Sequence, residues 1–186
     1  MMKISEDGIE LIKKFEGCQL TAYKAVSTEK FYTIGYGHYG ADVFKGMKIT
    51  KAQATAYLKM DIEKFEKAVN NLGRRWTQNE FDALVSFTYN CGEGNLRRLV
   101  ANRDNLQIAD AFLLYNRSGG KVLNGLAKRR KVERDVFLKN NNLEDIAREV
   151  IEGLWGNGRV RKQKLTAAGY DYAAVQTVVN RLLTGG

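Results

Sequence analysis

Glu16, Glu29, Thr33 and His38 fall in one stretch of the 186-residue chain, EGCQLTAYKAVSTEKFYTIGYGH, and these residue types could do acid–base chemistry. Glu16 closes the segment ISEDGIELIKKFE, where Ile4, Ile9, Ile12 and Phe15 recur close to helical spacing. Ser5 suits an N-cap, Glu6 and Asp7 follow in the first turn, and Gly17 stands where a C-terminal glycine belongs. The spacing predicts Glu16 in the last turn, at the negative end of the helix dipole. That end, with Phe15 limiting water, favours the protonated acid, and a general acid working near neutral pH needs such a shift. A surface glutamate at a frayed helix end has the same spacing.

FYTIGYGHYG then alternates as a strand does, with β-branched and aromatic residues followed by glycines at 35, 37 and 40. Thr33, Gly35 and Gly37 share one face of the strand; Tyr32, Ile34, Tyr36 and His38 share the other. The glycines leave room for a ligand or for close backbone packing. His38, the single histidine, reads first as a hydrogen-bonded residue that fixes the hairpin and only second as a base. One histidine and two distant cysteines, Cys18 and Cys91, predict no metal site and no disulfide framework, and no cofactor is expected.

The elements that must position this corner are helical. Leu58, Ile62, Phe65, Val69 and Leu72 are spaced by three and four behind Thr50, a plausible N-cap. Thr77 and Glu80 have capping-box spacing and open the apolar run FDALVSFTYN, expected as the central core helix. It ends at Tyr89-Asn90-Cys91-Gly92, where Asn90 can face a cleft. Shorter helices follow around Leu96, Leu99 and Val100, then behind Asn105 with Ile108, Ala109, Phe112 and Leu113. In YNRSGGKVLNGLAKRR the two glycines and a following helix start form a turn. Its N–H groups could meet sugar hydroxyl or acetamido groups, or the turn simply joins two helices. Lys128-Arg129-Arg130-Lys131 reads as the solvent face of a helix containing Val132, Val136 and Phe137.

The hydrophobic fraction, 44%, supplies a real core. The net charge of +9 means solubility or attraction to a polyanion. No helix-turn-helix, zinc finger or RNA-binding sheet motif accompanies it, so nucleic acid is not the expected partner. No signal-like apolar core opens the chain, and no run approaches the ~18 apolar residues of a membrane span. Asn140-Asn141-Asn142 is a polar break, read as a linker. Beyond it, LEDIAREVIEGLW and DYAAVQTVVNRLL read as amphipathic helices with a short one between, around 161–167, and Leu165, Val175, Val178 and Leu182 as their core.

The sequence FEG followed by the TIGYGH hairpin resembles the phage-type lysozymes, glycoside hydrolase family 24. NxG after the central helix and GGKVLxGLxxRR further on are similar to the same family, over about residues 4–139. The resemblance implies an endolysin cutting the N-acetylmuramyl–N-acetylglucosamine bond of peptidoglycan. It implies Glu16 as general acid and Thr33 as the threonine at the start of TIG. The family's aspartate, nine residues after the glutamate, is not matched: that position is Ala25, in a loop two residues longer than usual. A second carboxyl is ordinarily needed for this hydrolysis. Glu29 within the loop is preferred for it over Asp42, or Thr33 with another polar group positions the water by itself. A catalytically silent peptidoglycan-binding protein on a lysozyme fold is the alternative that Ala25 leaves open.

Substrate contacts are expected from Tyr36, His38, Asn90, Tyr115, Asn116 and Lys121. WGNGRVRKQKLTAAGYDYAAVQTVVNRLL is similar to the three-helix wall-binding repeat of a choline-independent pneumococcal phage lysozyme, present here in one copy. The match puts wall binding or motif definition on Trp155, Gly156, Asn157, Gly158 and Arg161. The expected architecture is α+β: a mostly helical lysozyme-like domain with a small β-hairpin sheet (1–139), a linker (140–142) and a three-helix module (143–186). The expected partner is bacterial peptidoglycan, met by a monomer that stays in the host cytoplasm until a holin releases it to the wall.

Overall fold

The computed structural model describes residues 1–139, 143–167 and 170–184. It divides into two units, 1–138 and 139–186; the linker expected at Asn140–Asn142 lies outside the described residues.

In the first unit α1 (Glu6–Glu16) starts where Ser5 caps it, its hydroxyl accepting from Gly8 N–H. A three-stranded antiparallel sheet follows, β1 (Gln19–Tyr23), β2 (Tyr32–Gly35) and β3 (His38–Gly40), in the order β1-β2-β3. Tyr32, Thr33 and Ile34 pair with Gly40, Tyr39 and His38. Ile34 is fully buried with Val43, Ile49 and Ala54, so this small lobe has its own core. The helix α2 (Lys51–Asn70) leaves the lobe behind a capping box of Thr50 and Gln53.

The central helix α3 (Gln78–Cys91) opens on the Thr77–Glu80 capping box and is buried continuously from Glu80 to Thr88. An element hidden all round must be surrounded by others. Here α1, α2, α4 (Glu93–Val100) and α6 (Asn124–Leu138) pack on it. Phe81, Leu84, Val85 and Phe87 are each fully buried, contributing roughly 1.5–3 kcal/mol apiece by transfer alone. α5 (Asn105–Phe112) is capped by Asp104 in a box with Gln107. The expected cap, Asn105, is instead the first helical residue, and its amide reaches the Glu80 carboxylate.

The double glycine also differs from its expectation. Gly119 and Gly120, at φ +55° and +77°, form the tip of a hairpin, β4 (Arg117–Ser118) with β5 (Lys121–Val122). Two successive positive φ values match a two-residue hairpin turn, and the helix starts only at Asn124.

The second unit is three helices, α7 (Leu143–Ile151), α8 (Gly158–Ala167) and α9 (Tyr172–Thr184). Ile146, Ala147, Val150, Leu165, Val175 and Val179 form its buried core, with Val178 and Leu182 packed at the edge.

Candidate active site

Glu16 lies where the sequence puts it, at the end of α1, and lines a cavity of about 320 Å³. The other walls come from the hairpin (Tyr36, Gly37, Tyr39), from α2 (Asp61, Lys64, Phe65) and from Tyr89 of α3. The hairpin tip is held by backbone as well as side chains. Gly35, at φ +66°, sits so close to α2 that an added Cβ would lie 3.3 Å from Ala54 Cβ and 3.4 Å from its Cα. The Tyr89 hydroxyl donates to the Tyr36 carbonyl at 2.8 Å. Burial first, then the nearby Glu16 and Asp61 charges, push the Tyr89 phenol far above its usual range, so it is a neutral donor throughout the working pH.

Glu16 is not a lone acid beside Phe15. Its Oε1 accepts from Arg129 Nη1 at 2.5 Å, across 113 positions of sequence. Arg129, 3% exposed on α6, also donates to Glu133 at 2.9 Å and to the Ser86 carbonyl at 3.2 Å. Arg130 is fully buried, with Nε 3.0 Å from Glu133 Oε2 and Nη2 donating to Asn90 Oδ1 at 2.9 Å. The reading of residues 128–131 as a solvent face is therefore corrected: Lys128 and Lys131 are exposed, whereas Arg129 and Arg130 point into the protein. The signal was available in the spacing, because Arg129, Glu133 and Phe137 share a helix face at i, i+4 and i+8. Burial alone would weaken the hold of Arg129 on its proton; the charges and hydrogen bonds of Glu133 and Glu16 reverse that and raise its pKa. Burial pushes the Glu133 carboxyl up, against the pull of both guanidinium groups.

The remaining hairpin residues are also placed. His38 stacks on Tyr57 at 4.3 Å between ring centroids. Its Nδ1 meets Asp61 at 3.0 Å and its Nε2 meets Asp42 at 3.0 Å. Both ring nitrogens are committed, and the contacts tie β3 to α2. Thr33 is half-buried in β2, opposite Tyr39 on one side and Tyr23 on the other. Ala25 is exposed, and its N–H donates to the Glu29 carboxylate at 2.9 Å, while Lys24 Nζ reaches the Glu29 carbonyl.

Asn90 and Tyr115 come together on a second concavity of about 460 Å³ with Cys91 and Arg117. Asn116 uses its carbonyl to accept from Leu123 N–H, and Lys121 is exposed on β5. Asp61, Lys64 and Arg129 are the site residues that the sequence reading missed. Asp61 and Lys64 come from α2 with no motif of their own, whereas Arg129 belongs to the GGKVLxGLxxRR segment but was read there as facing solvent.

In the second unit, Trp155 Nε1 donates to Glu149 at 2.8 Å and its ring meets Tyr170 edge-on. Arg161 donates to the Gly156 carbonyl at 3.1 Å and to Asn157 Oδ1 at 3.2 Å. Asn157 and Gly158 are exposed at the start of α8. This motif organises the α7–α8 turn, and Trp155 with Lys164 and Glu149 borders an open concavity.

The Phage lysozyme family profile matches residues 13–133, and the CW_7 repeat profile matches residues 144–183. The chain is 49% identical over 154 residues to an endolysin of Bacillus phage B103, covering 80% of this chain and 58% of that protein. It is 52% identical over 143 residues to an endolysin of Bacillus phage PZA, covering 73% and 55%. It thus spans somewhat more than half the length of these relatives. Among solved structures, an endolysin from Escherichia coli O157:H7 phage FAHEc1 superposes with a TM-score of 0.62 at 41% identity, covering 74% of this chain and 94% of that one.

Proposed function

The chain belongs to the phage lysozyme family, and from that premise we propose that it is a peptidoglycan hydrolase. As an endolysin it cleaves the N-acetylmuramyl–N-acetylglucosamine bond, targeted by its C-terminal wall-binding repeat. The observation that carries this reading is Glu16 on the wall of an open cavity, held by a buried arginine on one side and floored by Tyr36 and Tyr89. In this mechanism Glu16 protonates the glycosidic oxygen as the C–O bond breaks, and water adds to the oxocarbenium-like carbon as it gives up a proton to a carboxylate. Thr33 orients that water. Glu29 supplies the second carboxylate, supported by its contact with the backbone of Ala25, the very position where the family pattern calls for aspartate. Tyr36, His38, Asn90, Tyr115, Asn116 and Lys121 form the substrate-facing set. Trp155, Gly156, Asn157, Gly158 and Arg161 define the wall-binding repeat. The protein acts as a monomer at the wall after holin-mediated release from the host cytoplasm, with no nucleic acid involved.

Turbidity loss and released reducing ends on purified Gram-positive walls test this. Glu16→Gln is expected to lower turnover by at least ~10²–10³-fold with wall binding retained, and Glu29→Gln to lower it as well. Wall binding without cleavage, with cleavage appearing in Ala25→Asp, would instead identify an attachment protein on a lysozyme fold.

A further inference from the structure

Four charged side chains from two helices form one line of contacts, Glu16–Arg129–Glu133–Arg130. Two carboxylates and two guanidinium groups cancel. Arg130 does not bond Glu16; it leads the other way, to Asn90 and to Cys91 Sγ at 2.7 Å. Glu133 is 0% exposed and accepts from Ser86 Oγ at 2.7 Å as well as from both arginines. Burying a carboxylate this deeply is costly, and apolar residues of similar volume often pack such an interface as well or better. The network therefore asks for a role other than joining α3 to α6, and it reaches the cavity through the Arg129–Glu16 contact.

Resting on the reading of Glu16 as general acid, we infer that Glu133 is a positioning residue for it. By taking the Arg129 Nε hydrogen bond and balancing the guanidinium charge, Glu133 fixes Arg129 on Glu16 and tempers the field there. Protonating Glu16 leaves the line at +1. Without the Glu133 charge it would be left at +2, and the proton would be held less well. Removing Arg130 has the opposite sign: the line falls to zero when Glu16 is protonated, and the proton is held better. The other groups around Glu16 (Tyr36, Tyr39, Asp61, Lys64 and Tyr89 across the cavity, with Lys13 and Lys14 on α1) are unchanged by either substitution.

The test compares the full-length protein with Glu133→Gln, Arg130→Met and Ser86→Ala in pH–rate profiles on wall substrate. The titration of the Glu16 carboxyl is followed in parallel by NMR on carbon-labelled protein. Glu133→Gln keeps shape and an acceptor but loses charge. The alkaline limb, where the acid loses its proton, is expected to move down by roughly one pH unit. Arg130→Met is expected to move it up by a similar amount. Ser86→Ala lowers thermal stability and leaves the limb in place. Equal shifts in all three variants, no shift, or a shift of the same sign in Glu133→Gln and Arg130→Met would overturn the inference. Should Glu133→Gln fail to fold, the upward shift in Arg130→Met decides it. Should the wild-type protein not cleave walls, the NMR midpoints still read the coupling, so a failure of the general-acid reading is told apart from a failure of this one.

Discussion

Replacing Asp61 by asparagine should make the protein's stability less dependent on pH. Asp61 holds His38 Nδ1 at 3.0 Å with side-chain exposures of 25% and 12%, and Asp42 takes the other nitrogen. Burial pulls the His38 pKa down, but the hydrogen bonds and charges of Asp42 and Asp61 outweigh it and the net shift is upward from 6.5. A raised folded value means stabilisation that is fully present below the unfolded pKa of 6.5 and lost as the pH rises through the folded one. The Asp42 pKa is lowered from 3.8, chiefly by the His38 hydrogen bond, so its share is present above 3.8 and lost as the pH falls. The clamp is therefore strongest between about pH 4 and 6.5. A half-buried charge-assisted hydrogen bond contributes about 2 kcal/mol, and one to a neutral imidazole about 0.5–1 kcal/mol. At a few degrees per kcal/mol for a domain of this size, Asp61→Asn should lower Tm by about 6 °C at pH 5.5 and about 2 °C at pH 8.5. Thermal melts of both proteins at the two pH values measure it. An equal loss at both would mean that the imidazolium contributes nothing and that the clamp is only a neutral hydrogen bond.

Other outcomes follow from the packing. Phe87→Ala, removing a fully buried ring that meets Phe112 and Tyr115 edge-on, should cost about 3–5 kcal/mol in denaturant unfolding. Gly156→Ala, at φ +72° with Val160 Cγ1 3.3 Å from the added Cβ, should cost at least about 1 kcal/mol and weaken wall retention in co-sedimentation without changing cleavage of soluble fragments. Tyr89→Phe, losing the bond to the Tyr36 carbonyl, should cost about 1 kcal/mol in the same unfolding assay and loosen the hairpin tip in hydrogen exchange.

The parts legible in the sequence are those governed by local rules. Thr50 and Thr77 cap their helices because an N-terminal turn needs acceptors within three residues. Glu16 ends its helix because Gly17 stops it. The FDALVSFTYN run is central because its apolar residues surround the helix, and its buried polar ones, Asp82, Ser86 and Thr88, are each met by a partner within the protein. What stayed hidden depends on chain separation. Asp61 meets a histidine 23 residues away and Arg129 meets Glu16 at 113, and no pattern within a helix announces such a partner. Arg129 and Arg130 also show how a run of like charges misleads: consecutive helical residues are 100° apart, so one cluster serves solvent and interior at once. The misplaced cap at Asn105 is a smaller error of the same kind, since Asp104 beside it is equally able to cap.

The pairing of Tyr23 with Thr33 has a consequence for how this corner can vary. The segment between them is closed off by the ladder below and by the Glu29 contact to Ala25 within. The hairpin tip, by contrast, is gripped through the backbone, by α2 at Gly35 and by α3 at Tyr36. The segment can thus be exchanged as a cassette of different length and sequence while the shape beneath it persists. Variants that transplant acids, amides or longer inserts there would sample different reaction chemistries on an unaltered floor.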